Sequence, residues 1–189
     1  MSRRAAAFVL GLCMALIVGG VLWWWQSARS GRARSGSGPL ESGGPAEKLT
    51  IELYYPAGEG LRSEKRELEV TAAPKDRIRK IVATLLTGPI SGGAVRPFPE
   101  GVILGSVLIG GDGTAYLDLR WDGHDDPPAA GSTEEMQRVY SIVDSITANV
   151  PEVERVVLMW NGVQRDTFSG HLDTSRPLAA DKSLINAAR

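Results

Sequence analysis

One short segment, "DTFSGHLDTSRPL", contains the residues of this chain best suited to chemistry. It runs from Asp166 to Leu178 and holds His171, one of only two histidines, with Ser169, Asp166 and Asp173 close by. A histidine among carboxylates could bind a metal ion, and a serine, histidine and aspartate together could form a nucleophilic triad. The alternative is that these side chains finish the last strand of a small domain.

The spacing of the residues favours the structural interpretation. A metal site would have to combine His171, Asp173 and Asp166 with the distant His124 and its acidic neighbours, and no H-x-x-x-H or C-x-x-C motif brings ligands together. A triad built on Ser169 would lack the G-x-S-x-G turn that exposes a nucleophilic serine. We therefore predict no catalytic residue, no metal ligand and no cofactor. Gly170 is expected to adopt a positive φ, with His171 and Asp173 bonding to exposed backbone groups.

Two other segments contain candidate structural or interaction residues. The acidic loop "WDGHDDPPAA" begins at Trp121, and its Asp122, Asp125 and Asp126 could bind calcium, but their spacing is not that of an EF-hand. Trp121 is a candidate for an interaction patch because tryptophan is enriched at binding hot spots. The pair Asn161-Gly162 can take positive φ at both positions, which a tight hairpin turn requires.

The N-terminal part of the chain differs in charge and hydropathy from the rest. The first forty of the 189 residues carry five arginines and no acid, whereas the remainder carries 16 basic and 22 acidic residues, a net charge of −6. An acidic body argues against a nucleic-acid partner, because phosphate binding needs clustered Lys and Arg. Residues 5–25 are uncharged, end in three tryptophans and would span roughly 31 Å as a helix, so they predict an uncleaved membrane anchor. Cys13 lies inside this span in a poor context for lipidation.

Composition also predicts how the chain is divided. We expect an anchor at residues 1–25, a flexible linker rich in Gly, Ser and Arg at 26–47, a folded domain at 48–178 and a tail at 179–189. The domain has no cysteine and is long enough to bury a core without disulfides. Arginines flank the span on both sides, so charge alone does not set the orientation.

Hydrophobic periodicity predicts six strands and two helices. "KLTIELYYP" alternates as a strand, and "KRELEV" is a short second one. The segment "APKDRIRKIVATLLTGP" has a helical apolar stripe that begins after Pro74 and ends at Gly88. Two strands surround the turn "GGDG", and a second helix follows in which Ser132 and Glu135 fit a capping box. Its expected buried stripe is listed here: Met136, Val139, Tyr140, Val143 and Ile146. "VERVVLMW" and "VQRDTF" form the last hairpin. The order ββαββαββ predicts an α+β, two-layer sandwich with a mainly antiparallel sheet.

The chain resembles the GerMN domain family over about residues 49–178. The matching segments, in order, are "LYYP", "LLTGP", "FPEGVILGSVLI", "GTAYLDL", "GSTEEMQRVYSIVDSITANVPEVERVVLMWNGV" and "SGHLDTSRPL". The acidic loop at Trp121 departs from this pattern. The resemblance implies a domain exposed in the cell envelope behind an N-terminal anchor or lipid, with no established catalytic residues. GerMN domains resemble ring-building modules of secretion assemblies, which implies self-association or contacts with another protein.

These observations together predict a membrane-tethered, non-enzymatic binding or assembly module of the bacterial cell envelope. We expect a single-pass protein of the inner membrane, held through residues 5–25, with its C-terminal domain outside the cytoplasm and an envelope protein or a second copy as its partner. The alternative is an envelope hydrolase or carbohydrate-acting protein that uses His171 and nearby carboxylates.

Overall fold

The computed structural model of the protein describes residues 46–185, and these form the predicted α+β fold with two helices and two sheets. The predicted anchor lies outside the described residues, as does nearly all of the predicted linker. Within residues 46–185, no helix is long and apolar enough to cross a membrane. The strands are β1 (Glu47–Ala57), β2 (Gly60–Val70), β3 (Val102–Ile109), β4 (Thr114–Trp121), β5 (Arg155–Trp160), β6 (Val163–Gln164) and β7 (Leu178–Ala179). The helices are α1 (Pro74–Thr87), α2 (Ser132–Asn149) and the 3-10 turn Lys182–Leu184.

Strands β1 and β2 form a long antiparallel hairpin in which Ala57 is opposite Gly60. The second strand is therefore longer than "KRELEV" because it begins directly after a two-residue turn. One face of β1 is buried, as its alternation predicts: Ile51, Leu53 and Tyr55 belong to the core. The other sheet has the order β3-β4-β5-β6, with β7 also paired to β5. Its β4–β5 pair is parallel, because α2 crosses over between those strands.

Both helices bury an apolar face in the same core cluster as the two sheets. Helix α1 has Pro74 in its first turn and ends at Gly88, whose φ is +96°, as the sequence predicts. Helix α2 differs from the prediction, because Met136 and Tyr140 are only partly buried while Ile142 is fully buried. The buried face of α2 therefore follows Val139, Ile142, Val143 and Ile146.

The far side of α2 binds the edge of strand β1 through polar side chains, which explains why so much of this helix is buried. Ser145 Oγ accepts a hydrogen bond from Tyr54 N, and Asn149 both accepts from Glu52 N and donates to Glu52 O at 2.9 and 2.7 Å. Gln137 donates to two carbonyls of the β1–β2 turn. These bonds satisfy backbone groups that an open strand edge would leave unpaired.

The predicted capping box at the start of α2 is wrong. Gly131 occupies the N-cap position, no side chain caps the helix there, and Ser132 is the first helical residue. The Glu135 side chain turns away from the helix terminus and binds a loop far along the chain, which is the central feature of the site described below.

Candidate functional site

The structure connects the candidate residues through three segments at one end of the domain. These segments are the acidic loop 121–130, the hairpin turn at 161–162 and the loop 165–175. Arg165 Nη1 forms an ion pair with Asp126 Oδ1 at 2.9 Å, and Ser169 Oγ donates a hydrogen bond to Pro128 O at 3.1 Å. The histidine-containing segment therefore packs against the acidic loop.

Glu135 on helix α2 organises the loop that contains His171. Its carboxylate accepts hydrogen bonds from three backbone N–H groups, those of Ser169 at 2.6 Å, His171 at 2.8 Å and Leu172 at 3.2 Å. The His171 ring Nδ1 lies 3.0 Å from Glu135 Oε2 as a fourth partner. The Glu135 side chain is fully buried, so this carboxylate replaces water as the acceptor for a whole turn of backbone.

The hydrogen bonds to Glu135 decide its ionisation. Burial alone would raise the pKa of this carboxyl, but the backbone N–H groups of Ser169, Leu172 and His171, with the His171 side chain, lower the pKa below its ordinary value. Glu135 is therefore ionised at neutral pH. Since its oxygens are occupied by donors and shielded from solvent, it is poorly placed to accept a proton from a substrate.

Gly170 and Asp173 shape the same loop through backbone conformation. Gly170 has a φ of +115°, the positive value expected from the sequence, and a Cβ at this position would meet open space. A larger residue would therefore be opposed by backbone strain and not by a steric clash. The Asp173 carboxylate accepts from Ser175 N at 2.9 Å and from Ser175 Oγ at 2.6 Å, which also lowers the pKa of Asp173.

The residues of the hypothetical triad do not interact as a triad. Ser169 Oγ donates to Pro128 O, His171 Nδ1 faces Glu135, and Asp173 binds Ser175. The second histidine, His124, is stacked on another side chain in the acidic loop. Among residues 46–185, no group of three or more His, Cys, Asp or Glu side chains is arranged to hold a metal ion.

The acidic loop is fixed by aromatic stacking and by Asn161. The rings of Trp121 and His124 are stacked with centroids 3.7 Å apart and planes 16° from parallel. Asn161 Nδ2 donates to His124 O at 3.1 Å and to Asp125 O at 3.5 Å. Together with neighbouring side chains these residues line a surface groove of about 480 Å³. Trp121 therefore lines the groove, and its ring is already stacked on His124.

The Asn161-Gly162 turn is held by a second buried carboxylate. Both residues have positive φ, 51° and 79°, as the pair predicts. Gly162 N donates to Asp118 Oδ1 at 2.6 Å, and Arg120 donates two hydrogen bonds to the other oxygen of Asp118. The Asp118 side chain is only 1 % exposed.

Sequence reasoning gave Glu135 the wrong role, in a capping box, and missed Asp118, although each left a signal. Glu135 is four residues before Val139 and so continues the apolar stripe of α2, where an unpaired charge would be costly. Asp118 lies between the core residues Leu117 and Leu119 on the opposite face of β4, which the hairpin turn covers. A carboxylate on a buried face needs hydrogen-bond donors, and these must come from elsewhere in the chain. The sequence does not identify which residues supply them.

Five large apolar side chains are exposed among the described residues: Ile90, Val95, Ile103, Leu108 and Val163. Ile103 also helps to line the groove at Trp121. Ile103 and Leu108 on β3 are each 58 % exposed, and β3 is an outer strand whose only strand partner among the described residues is β4. Beside it, Leu86, Ile103 and Leu104 help to line a groove of about 450 Å³ between α1 and β3. This surface, Leu86 with β3, is called the β3 surface below.

The fold is that of a small α+β domain, and comparison with known proteins places it with the GerMN domains. The family model described as "Germane: Sporulation and spore germination" matches residues 52–166, more than half of the chain. The chain therefore belongs to the Germane family, as the sequence resemblance indicated.

Solved structures show the same fold at low sequence identity. A predicted lipoprotein from Clostridium perfringens is 19 % identical, with a TM-score of 0.50, and the match covers 71 % of this chain and 88 % of that one. The first GerMN domain of the sporulation protein GerM from Bacillus subtilis is also 19 % identical with a TM-score of 0.50, covering 71 % and 98 %. The tandem GerMN domains of the same protein are 20 % identical with a TM-score of 0.50, covering 82 % and 51 %, so this chain spans about half of that pair. No curated protein sequence matches the chain.

Proposed function

We propose that the protein is a membrane-tethered, non-enzymatic binding or assembly module of the bacterial cell envelope. Membership of the Germane family supports a role related to sporulation or to the envelope, and the similar protein from C. perfringens is a predicted lipoprotein. In this proposal residues 5–25 anchor the chain in the inner membrane, residues 26–47 act as the linker, and the domain from residue 48 lies outside the cytoplasm.

One observation carries the non-enzymatic part of the proposal. The polar side chains with catalytic potential at the loop network are engaged in holding backbone, since Glu135 binds three N–H groups and Ser169 donates to a carbonyl. The β3 surface instead presents two exposed apolar side chains on one strand, Ile103 and Leu108, each 58 % exposed. Exposed apolar side chains on an outer strand favour contact with another protein.

Photocrosslinking in native membranes tests the proposal. A photoreactive amino acid at Ile103 or Leu108 in the full chain should capture a specific protein, whereas the same group at the exposed Lys65 on β2 should give only background. Equal capture at all three positions would contradict a partner on the β3 surface. The captured species, another protein or a second copy of this chain, would be identified by mass spectrometry.

The hydrolase alternative has one observation in its favour. His171 is 47 % exposed, and a buried carboxylate orients its ring through Nδ1, which leaves Nε2 directed away from that carboxylate. Turnover of peptidoglycan or another envelope glycan by the purified chain, lost in His171→Ala while the fold is retained, would replace the binding proposal with this one.

A further inference from the structure

The end of the described chain lies over helix α2 as a short, weakly held segment. Residues 178–185 comprise β7, Ala180, Asp181, the 3-10 turn and Ile185, and none of these eight residues is buried. Strand β7 pairs with β5 at only two positions, and Ile185 bridges Leu61 at the start of β2. Leu178 packs against the core while only partly buried, so the attachment of the residues after it depends on individual polar contacts.

After the β7–β5 pairing, the next polar contact is made to a third buried carboxylate, Asp144 of α2. Asp181 N donates to Asp144 Oδ1 at 3.0 Å, and the Asp144 residue is only 2 % exposed. Its other oxygen, Oδ2, is buried without any hydrogen-bond partner in the structure. Glu135 has four hydrogen-bond partners, whereas Asp144 has one. A negative charge on Asp144 is therefore the less well compensated of the two.

An open cavity of about 280 Å³ lies between this helix, strand β1 and the segment. Its lining includes Asp144 and Thr147 from α2, Tyr54 from β1, and Lys182 and Ile185 from the segment. The cavity means that the segment is not packed tightly against the acid. Movement of the segment would therefore expose Asp144 to water without disrupting the core.

We propose that residues 178–185 form a clasp that closes over α2 when the Asp144 carboxyl is protonated and opens more readily when it is ionised. The uncharged carboxyl keeps an oxygen to accept from Asp181 N and removes the unpaired buried charge. The ionised form regains its hydration when the segment detaches. Detachment also frees the edge of β5 that β7 covers at Arg155 and Val156, which an extended segment of another chain could then pair with.

The groups around Asp144 support this assignment. Burial raises the pKa of Asp144 to about 6; the Asp181 N–H opposes this, and the Asp181 charge adds to it. Burial also raises the pKa of Tyr54, to about 12, and that of Tyr140, so both phenols stay neutral across the relevant pH range. Asp144 is thus the group among these whose charge changes in mildly acidic solution.

Three remaining charged groups nearby do not neutralise the buried oxygen. Lys182 lines the cavity without a hydrogen bond to Asp144, and Arg155 of β5 directs its guanidinium to Asp112 at 3.1 and 3.9 Å. Glu52 of β1 adds further negative charge beside Tyr54.

The sign and size of the effect follow from the two ionisation equilibria. The closed clasp binds the Asp144 proton more tightly than the open one, where the carboxyl has its ordinary pKa of 3.8, so a rise in pH favours opening. With a closed-state pKa of about 6, the opening constant should increase roughly tenfold between pH 5 and pH 8, with most of the change complete by about pH 7.

Hydrogen–deuterium exchange of the full chain in detergent micelles tests the clasp. After correction for the intrinsic pH dependence of amide exchange, residues 178–185 should lose roughly tenfold protection from pH 5 to pH 8. Asp144→Asn, which keeps an oxygen acceptor and carries no charge, should abolish this dependence and keep the segment protected. Asp122→Asn removes an exposed acid elsewhere and should behave as the unaltered chain does. Amides of β4 serve as an internal reference.

Two results would overturn the proposal: a pH-corrected change of less than twofold in the unaltered chain, or the same pH dependence in Asp144→Asn. If circular dichroism shows that Asp144→Asn does not fold, Asp181→Asn decides the question. It removes the charge that helps to raise the pKa of Asp144, so the opening transition should move to lower pH. An unmoved transition would then assign the pH response to another group.

Discussion

Replacement of Glu135 is the most direct test of how the loop network is held. Glu135→Ala leaves the N–H groups of Ser169, His171 and Leu172 without their acceptor, in a place where the missing carboxylate was fully buried. Each backbone N–H group left buried without an acceptor costs on the order of 1–3 kcal/mol, so the loss of three acceptor contacts should cost several kcal/mol. A domain of this size has a free energy of unfolding of about 5–15 kcal/mol, so the loss should be large. Glu135→Gln keeps one acceptor oxygen and should cost less, about 1–3 kcal/mol.

Urea unfolding of a fragment spanning residues 46–189 would measure these losses. Glu100 is the matched control, because its side chain is 93 % exposed and its ion pair with Arg96, at 3.8 Å, lies in solvent. Glu100→Ala should cost no more than about 1 kcal/mol. If Glu135→Ala unfolded within 1 kcal/mol of the unaltered fragment, with amides 169–172 still protected from exchange, the carboxylate would not be what holds this loop.

Three further predictions concern the same loop, the effect of pH and the anchor. Gly170→Val should destabilise the fragment by roughly 1–3 kcal/mol through backbone strain. His171→Ala should cost only about 1 kcal/mol, since it removes one of the four donors to Glu135. A larger loss in His171→Ala than in Gly170→Val, measured by thermal or urea unfolding, would contradict this. Folding lowers the pKa of Glu135, so the stabilisation that this carboxylate contributes should be lost as pH falls below about 4.5. Folding raises the pKa of Asp144 to about 6, so protonation of this carboxyl should stabilise the fold as pH falls below about 6. Urea midpoints should therefore peak in mildly acidic solution, and a steady rise up to pH 8 would refute the assignment. The full-length chain should fractionate with membranes, and a mature N-terminus found between residues 27 and 37 would show cleavage instead.

Local patterns in the sequence were sufficient to predict most of the fold. The alternation at Ile51, Leu53 and Tyr55, the stop at Gly88 and the positive φ values at Asn161 and Gly162 all depend on neighbouring residues, and the structure has each of them. Turns and amphipathic faces are set by short-range sterics and periodicity, so they can be read from a few residues at a time. The division of the chain into anchor, linker, domain and tail stays a prediction.

Long-range polar contacts could not be predicted in the same way. Glu135 lies three residues after Ser132, which is the spacing of a capping box, yet its partners are 34 to 37 residues further along the chain. Asp118 and Gly162 are separated by 44 residues, and Asp144 and Asp181 by 37. Which donors meet a buried acid depends on how the elements pack, and that information is absent from local spacing. The sequence prediction that His171 bonds exposed backbone groups missed its buried partner for the same reason.

The number of donors around a buried acid determines what the acid can do for the fold. Glu135 receives three backbone N–H groups and a histidine ring, so its charge is compensated and its pKa is lowered. The loop that it holds should remain closed over the whole neutral range. Asp144 receives a single N–H group and keeps one oxygen unpartnered, so its pKa is raised and its segment is held least firmly when it is charged. Because both acids lie on α2, nine residues apart, one helix fixes one part of the C-terminal chain and leaves the other able to respond to pH. If the domain is the binding module proposed above, opening of the clasp would uncover the edge of β5 at Arg155 and Val156 without disturbing the loop that Glu135 holds.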